Sequence, residues 1–144
     1  MIKSTLQRTY RPQDHIHVYT TKDTSLATVQ HWQRDETIAL SNATAPRKHL
    51  YDLRSLTDLS VYALHAAIKL KAHPNANNVY SAVLATHDRV IEMADLVMRI
   101  QPGGHFRLFT DEARAIEWLN SQVPLQDEIS LFFTTAYFSR QTNR

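Results

Sequence analysis

At 144 residues, 43% of them hydrophobic, the chain is long enough for one domain with a sizeable core; lacking cysteine, it can build neither a disulfide framework, a thiolate metal site nor a cysteine nucleophile. Sixteen Lys and Arg against fourteen Asp and Glu leave a net charge of +2, a small excess that argues against a nucleic-acid partner. The only two glycines, Gly103 and Gly104, are adjacent, which excludes a P-loop and a dinucleotide-binding fingerprint, since both need spaced glycines; no cofactor is expected.

The opening MIKSTLQRTYRPQDH has no apolar core of signal-peptide length. No segment approaches the length of a bilayer span, so the expected location is cytoplasmic. Within the opening, STLQRTY (4–10) alternates apolar and polar residues, which suits an added antiparallel edge strand. HIHVYTT (15–21) reads as a strand. Residues 24–43 admit either a hairpin strand in TSLATVQHW or one helix, and the length together with RDETIALSNA favours the helix. Trp32 has no evident place in either. HLYDL (49–53) is the next strand, entered through Pro46 and two basic residues.

The run HLYDLRSLTDLS (49–60) gathers Asp52, Arg54, Ser55, Thr57, Asp58 and Ser60 at the end of that strand. In an open parallel sheet ligands bind outside the carboxyl ends of strands, and a following helix N-terminus offers unpaired amides to an anion. These six residues are therefore the binding or regulatory candidates. Ser55 with Asp58 three residues on also has the form of a capping box, with Asp for the usual Glu, and capping alone would account for the hydroxyls.

A helix follows, with Leu59, Tyr62, Ala63, Ala66, Ala67 and Leu70 on one face, Lys69, Lys71 and His73 near its end, and Pro74 with Asn75 as its stop. NVYSAVLAT (78–86) suits a buried strand. The next helix, capped by Thr86 or Asp88, places Val90, Ile91, Ala94, Val97 and Met98 on one face and ends before QPGG. HFRLF (105–109) is a strand, and TDEARAIEWLNSQ (110–122) a helix with Thr110 as N-cap and Trp118 and Leu119 beside Ala115 and Ile116 as core. Strands alternating with helices imply an α/β domain with a mixed, mostly parallel sheet of four or five strands and right-handed crossovers.

Eight histidines invite a metal reading, and His15 with His17 would share a strand face, but no third ligand stands at a readable spacing and no metal is expected. His65, Lys69 and His73 share a helix face that reads as solvated. No Gly-x-Ser-x-Gly elbow singles out a nucleophile, so no catalytic residue is assigned. The end, LQDEISLFFTTAYFSRQTNR (125–144), carries Phe132, Phe133, Tyr137 and Phe138. Residues 1–122 are thus expected to form the domain and 123–144 an aromatic extension. So much apolar surface should either fold back over its own sheet or dock on a second subunit, which makes these four the interface candidates and a homodimer the expected assembly.

HLYDLRSL, the amphipathic helix after it, VYSAVLAT and FRLFTDEARAIEWL together resemble the SpoIIAA-like branch of the STAS domains, the anti-sigma-factor-antagonist type, over roughly residues 11–122. Members commonly show an apolar strand ending in Asp-Leu-Arg, here Asp52, Leu53 and Arg54, and a terminal helix like Phe109 to Leu119. The resemblance implies helices packed on a mixed sheet and a non-enzymatic regulatory role through a protein partner. In the wider family a serine in an Asp-Ser-Ser/Thr-Gly motif at this helix start is phosphorylated. Ser55, Thr57 and Ser60 lie in that neighbourhood, but LRSLTDLS has no glycine and no Asp-Ser pair in register. A related branch, similar in sheet layout to lipid-transfer domains, implies instead a carrier of a lipid or other small apolar ligand. An enclosed apolar pocket between sheet and helices would favour that second reading, and an enzyme stands third.

Overall fold

The computed structural model describes residues 3–42 and 45–123; Phe132, Phe133, Tyr137 and Phe138 lie outside them. In chain order the elements are β1 (Gln7–Arg11), β2 (Ile16–Thr20), α1 (Leu26–Ser41), β3 (Arg47–Asp52), α2 (Val61–Lys71), a 3-10 turn (Ala76–Asn78), β4 (Val79–Leu84), α3 (Asp88–Ile100), β5 (His105–Phe109) and α4 (Glu112–Gln122). β1 is the antiparallel edge strand, and β2 to β5 are parallel. Of the two readings of this region the helix is the one found, α1 over Leu26–Ser41.

Strand order follows chain order, so each parallel connection steps one strand in the same direction across the sheet. Connections of one hand then place their helices on one face. Accordingly α1, α2 and α3 pack side by side over one face, and α4 covers the other. Strand alternation sorts the residues between the faces. Ile16, Leu50, Ala82 and Leu84 meet Ala115 and Leu119 of α4 in a fully buried cluster, with Ile116 and Trp118 packed against it, as the sequence predicts. On the same face the buried Lys48 Nζ donates to Asn120 Oδ1 at 2.9 Å, and Arg11 clamps Asp14 at 2.9–3.3 Å.

Several helix starts differ from expectation. Ser60, not Ser55 with Asp58, caps α2; His87, not Thr86 or Asp88, caps α3 through Nδ1; and Asp111, not Thr110, caps α4. Each cap is the last extended residue before its helix, a backbone condition that residue type alone does not reveal. Leu59 precedes α2, and Tyr62 is 48% exposed and not on the buried face. His15 stands in the turn before β2 at φ +57°, so it does not share a strand face with His17. Its ring instead sits beside Tyr10. The paired glycines are explained by α2: a Cβ on Gly103 would lie 2.5 Å from the Lys71 carbonyl oxygen, and Gly104 adopts φ +75°.

Candidate functional site

At the end of β3, Asp52 accepts from the Arg54 amide at 3.1 Å and from its guanidinium at 3.0 and 2.8 Å. Arg54 Nη2 also reaches Glu112 of α4 at 3.1 Å, tying the strand end to the far helix. Hydrogen bonding from Arg54 accordingly lowers the Asp52 pKa. Ser55 Oγ donates to the Thr21 carbonyl at 2.8 Å. Ser60 caps α2, accepting from the Ala63 amide at 3.2 Å, while its Oγ and amide both donate to Thr24, at 2.5 and 2.8 Å. Asp58 pairs with Arg89 of α3 at 3.0 Å, and Thr57 is exposed. The structure thus brings the six candidates into one loop whose polar groups mainly lock it to its neighbours. Ser60→Ala removes a cap and leaves the Thr24 carbonyl without its donor, an expected loss of about 1.5–2 kcal/mol. Ser55→Ala, at an exposed position, should cost less than about 1 kcal/mol; urea titration of both variants measures the difference.

The feature the sequence did not single out lies on the sheet face beneath α1, α2 and α3. Register places His17, His49, Ser81 and Phe106 in one cross-strand row and Tyr19, Tyr51, Val83 and Leu108 in the next. Two histidines and two tyrosines therefore occupy a surface that three helices bury. The Tyr19 and Tyr51 rings stack at 5.0 Å, and Trp32 of α1 meets Tyr51 edge-on at 5.8 Å. Trp32 reaches this face because Val29, Trp32, Glu36 and Leu40 form one stripe of α1 at helical spacing.

Glu36 is the exception in that stripe. Its Oε1 lies 2.9 Å from His49 Nδ1, with both side chains almost wholly buried, though the approach is poorly aligned for a hydrogen bond. His49 Nε2 accepts from Arg47 Nε at 3.3 Å, which puts a ring proton on Nδ1, where the Tyr51 hydroxyl accepts it at 3.3 Å beside Glu36. Burial by itself would raise the Glu36 pKa; His49 and the hydroxyls of Tyr51 and Tyr19 outweigh it and hold the carboxyl below its ordinary range. Burial likewise keeps both tyrosine hydroxyls protonated, with their pKa values raised well above the ordinary value. Neither the Tyr19 hydroxyl nor Trp32 Nε1 makes a hydrogen bond of ordinary geometry among the described residues.

Beside this cluster the core is not filled. A chamber of about 110 Å³ lies between the sheet and the three helices, and its lining is almost wholly apolar. Tyr19, Tyr51, Val83 and Phe106 form its sheet side. Val29 and Trp32 of α1, Ala63 and Ala67 of α2, and Ala94 and Val97 of α3 form its helix side. Leu53 and Leu59 of the 52–60 loop, with Thr20, Thr21 and Thr24, form its rim at the carboxyl ends of the strands. A smaller void of about 20 Å³, the size of one water, shares the Trp32, Tyr51, Ala67 and Phe106 walls and touches Glu36. The loop that the sequence singles out is therefore the rim of this chamber, its polar groups fastening outward and Leu53 and Leu59 facing in.

Two solved structures are similar to this arrangement. One is an uncharacterised protein of the DUF3478 family with a SpoIIAA-like fold from Shewanella loihica, with 17% identity over 83% of this chain and 96% of that one, at a TM-score of 0.59. The other is a candidate anti-sigma factor antagonist from Thermotoga maritima, with 7% identity over 80% and 94%, at a TM-score of 0.58. The fold is SpoIIAA-like. The sequence matches no protein-family model and no curated protein.

Within this SpoIIAA-like domain the described residues contain no group of three His, Cys, Asp or Glu side chains placed to hold a metal. They also contain no helix long and apolar enough to cross a membrane. His17, on the rim of the polar cluster, has its pKa lowered to about 4, first by burial and then by the nearby Arg47 and His49. A folded-state value below the unfolded value of about 6.5 means that the unfolded chain takes up the proton first. Stability from this residue is therefore complete above about pH 6.5 and declines as pH falls toward 4. His17→Phe should flatten that part of the profile, as read from urea midpoints between pH 7 and pH 4.

A sequence signal for the cluster exists in the repeated His-x-Tyr of HIHVYT and KHLYDL. Period-two spacing in two neighbouring strands puts all four rings on one face. Glu36 carries no comparable signal, because an acid beside Asp35 in QRDETIAL reads as surface.

Proposed function

We propose that this SpoIIAA-like domain is a non-enzymatic regulatory module that takes one small, largely apolar molecule into the chamber and presents the 52–60 loop to a protein partner. The observation that carries the reading is the chamber itself: about 110 Å³ of apolar space in a core that proteins normally fill, rimmed by that loop. Engineered apolar cavities of about 150 Å³ stay dry and bind benzene, so this volume suits a single ring and is too small for a lipid chain. The regulatory part is supported by the candidate anti-sigma factor antagonist among the similar structures. It is supported also by the loop's outer face, where Arg54, Thr57 and Asp58 are exposed and lead directly into Val61 and Tyr62, 57% and 48% exposed.

Toluene is the probe that tests the binding half. Titration followed by methyl NMR should shift the signals of Val29, Ala63, Ala94 and Val97, which line the chamber, and raise the melting temperature. Perturbations scattered over the surface, with no thermal shift, would count against it.

A further inference from the structure

The way the chamber's polar neighbours are occupied decides what can enter it. No charged side chain belongs to its lining, and the threonines that do belong to it have hydroxyls engaged elsewhere. Thr21 Oγ1 donates to the Asp23 carbonyl and Thr28 Oγ1 to Asp23 Oδ1, both at 2.7 Å, while Thr24 Oγ1 accepts from the Ser60 amide at 2.8 Å. The aromatic polar groups are turned aside as well. The Tyr51 hydroxyl accepts from His49 Nδ1 at 3.3 Å, the Tyr19 hydroxyl is directed at Glu36, and Trp32 Nε1 is directed at Tyr51. Glu36 itself belongs to the adjoining void and not to the chamber walls. These residues therefore offer the space methyl groups and ring carbon. A hydroxyl, carbonyl or charged group carried inside would lose its water and find neither donor nor acceptor in return. A ring without such a group loses nothing of the kind, and the rings of Tyr19, Tyr51, Trp32 and Phe106 are partners of its own shape.

Resting on the binding reading above, we infer that the ligand class is a monocyclic aromatic hydrocarbon with no hydrogen-bonding group, and that the chamber rejects its hydroxylated, carbonyl-bearing and ionised relatives. Recognition is by shape and apolar contact alone. The polar network of Thr21, Thr24, Thr28 and Asp23 serves this selectivity by keeping every hydroxyl out of the space.

The test compares toluene, phenol and benzoate on the intact chain by isothermal titration, with the methyl signals of Val29 and Ala63 reporting binding in the chamber. Phenol matches toluene in shape, so the ratio of their affinities isolates the hydroxyl. Toluene should bind at least about fivefold more tightly than phenol, the lower end of what an unpaired buried hydroxyl costs, and benzoate should leave these methyl signals unmoved. Val83→Thr adds a hydroxyl to the chamber wall at nearly constant shape and should narrow the toluene-to-phenol ratio at least about threefold. Val29→Thr serves the same comparison if Val83→Thr does not fold. A smaller toluene preference in the native protein, or benzoate seated in the chamber, would overturn the inference while leaving the chamber in place as a binding site. Failure of all three to bind would instead remove the reading beneath it.

Discussion

Replacing His49 with Leu is expected to destabilise the fold by about 3–5 kcal/mol, the usual cost of leaving a buried carboxylate, here that of Glu36, without its partner. Glu36 of α1 is almost wholly buried, and His49 Nδ1 lies 2.9 Å from its carboxylate. Without the imidazole, only the hydroxyls of Tyr51 and Tyr19 remain to support the carboxylate. The double change Glu36→Leu with His49→Leu should recover most of the loss, because removing both partners removes the desolvation problem together with the contact. Urea denaturation of the two singles and the double closes the cycle. A His49→Leu cost below about 1 kcal/mol would mean that Glu36 does not depend on His49 for its burial.

Ala67→Leu should act in the opposite sense on stability and abolish binding. Ala67 belongs to the walls of both the chamber and the smaller void, so a larger side chain there grows into empty space. Cavity filling of this kind commonly adds about 0.5–2 kcal/mol. The expected result is a higher melting temperature together with at least a tenfold loss of toluene affinity. Stabilisation without loss of binding would place the ligand elsewhere. This pairing of gained stability with lost binding would place the bound toluene in the chamber that Ala67 lines.

The layout of the sheet and helices was legible because periodicity reports burial directly. VYSAVL is a short β-rich run, buried at every position but Tyr80 as β4, and Val90, Ala94 and Val97 recur at helical spacing and form the buried side of α3. The edge strand β1 was legible from its alternation. Caps were less so, since Ser55, Asp58 and Ser60 are equally good by residue type and only the backbone at Ser60 decides among them. The 52–60 segment was legible as the connection from strand to helix, but its hydrogen bonds were not, because the partners of Ser55 and Ser60 lie 34 and 36 residues away, in the segment after β2. The chamber itself has no local signature. It exists because Ala63, Ala67 and Ala94 stand where α2 and α3 face the tyrosines, and small residues in a helix stripe read as close packing.

Xenon is the most direct probe of the chamber, since it enters apolar cavities of this size without needing any polar partner. A crystal of the intact protein held under xenon pressure should show a single strong site between Tyr19 and Phe106 on the sheet and Ala63, Ala67 and Val97 on the helices. The same experiment on Ala67→Leu should leave that position unoccupied. Xenon absent from the chamber of the native protein, or bound only at the surface, would contradict the claim that this domain is built around an internal binding site.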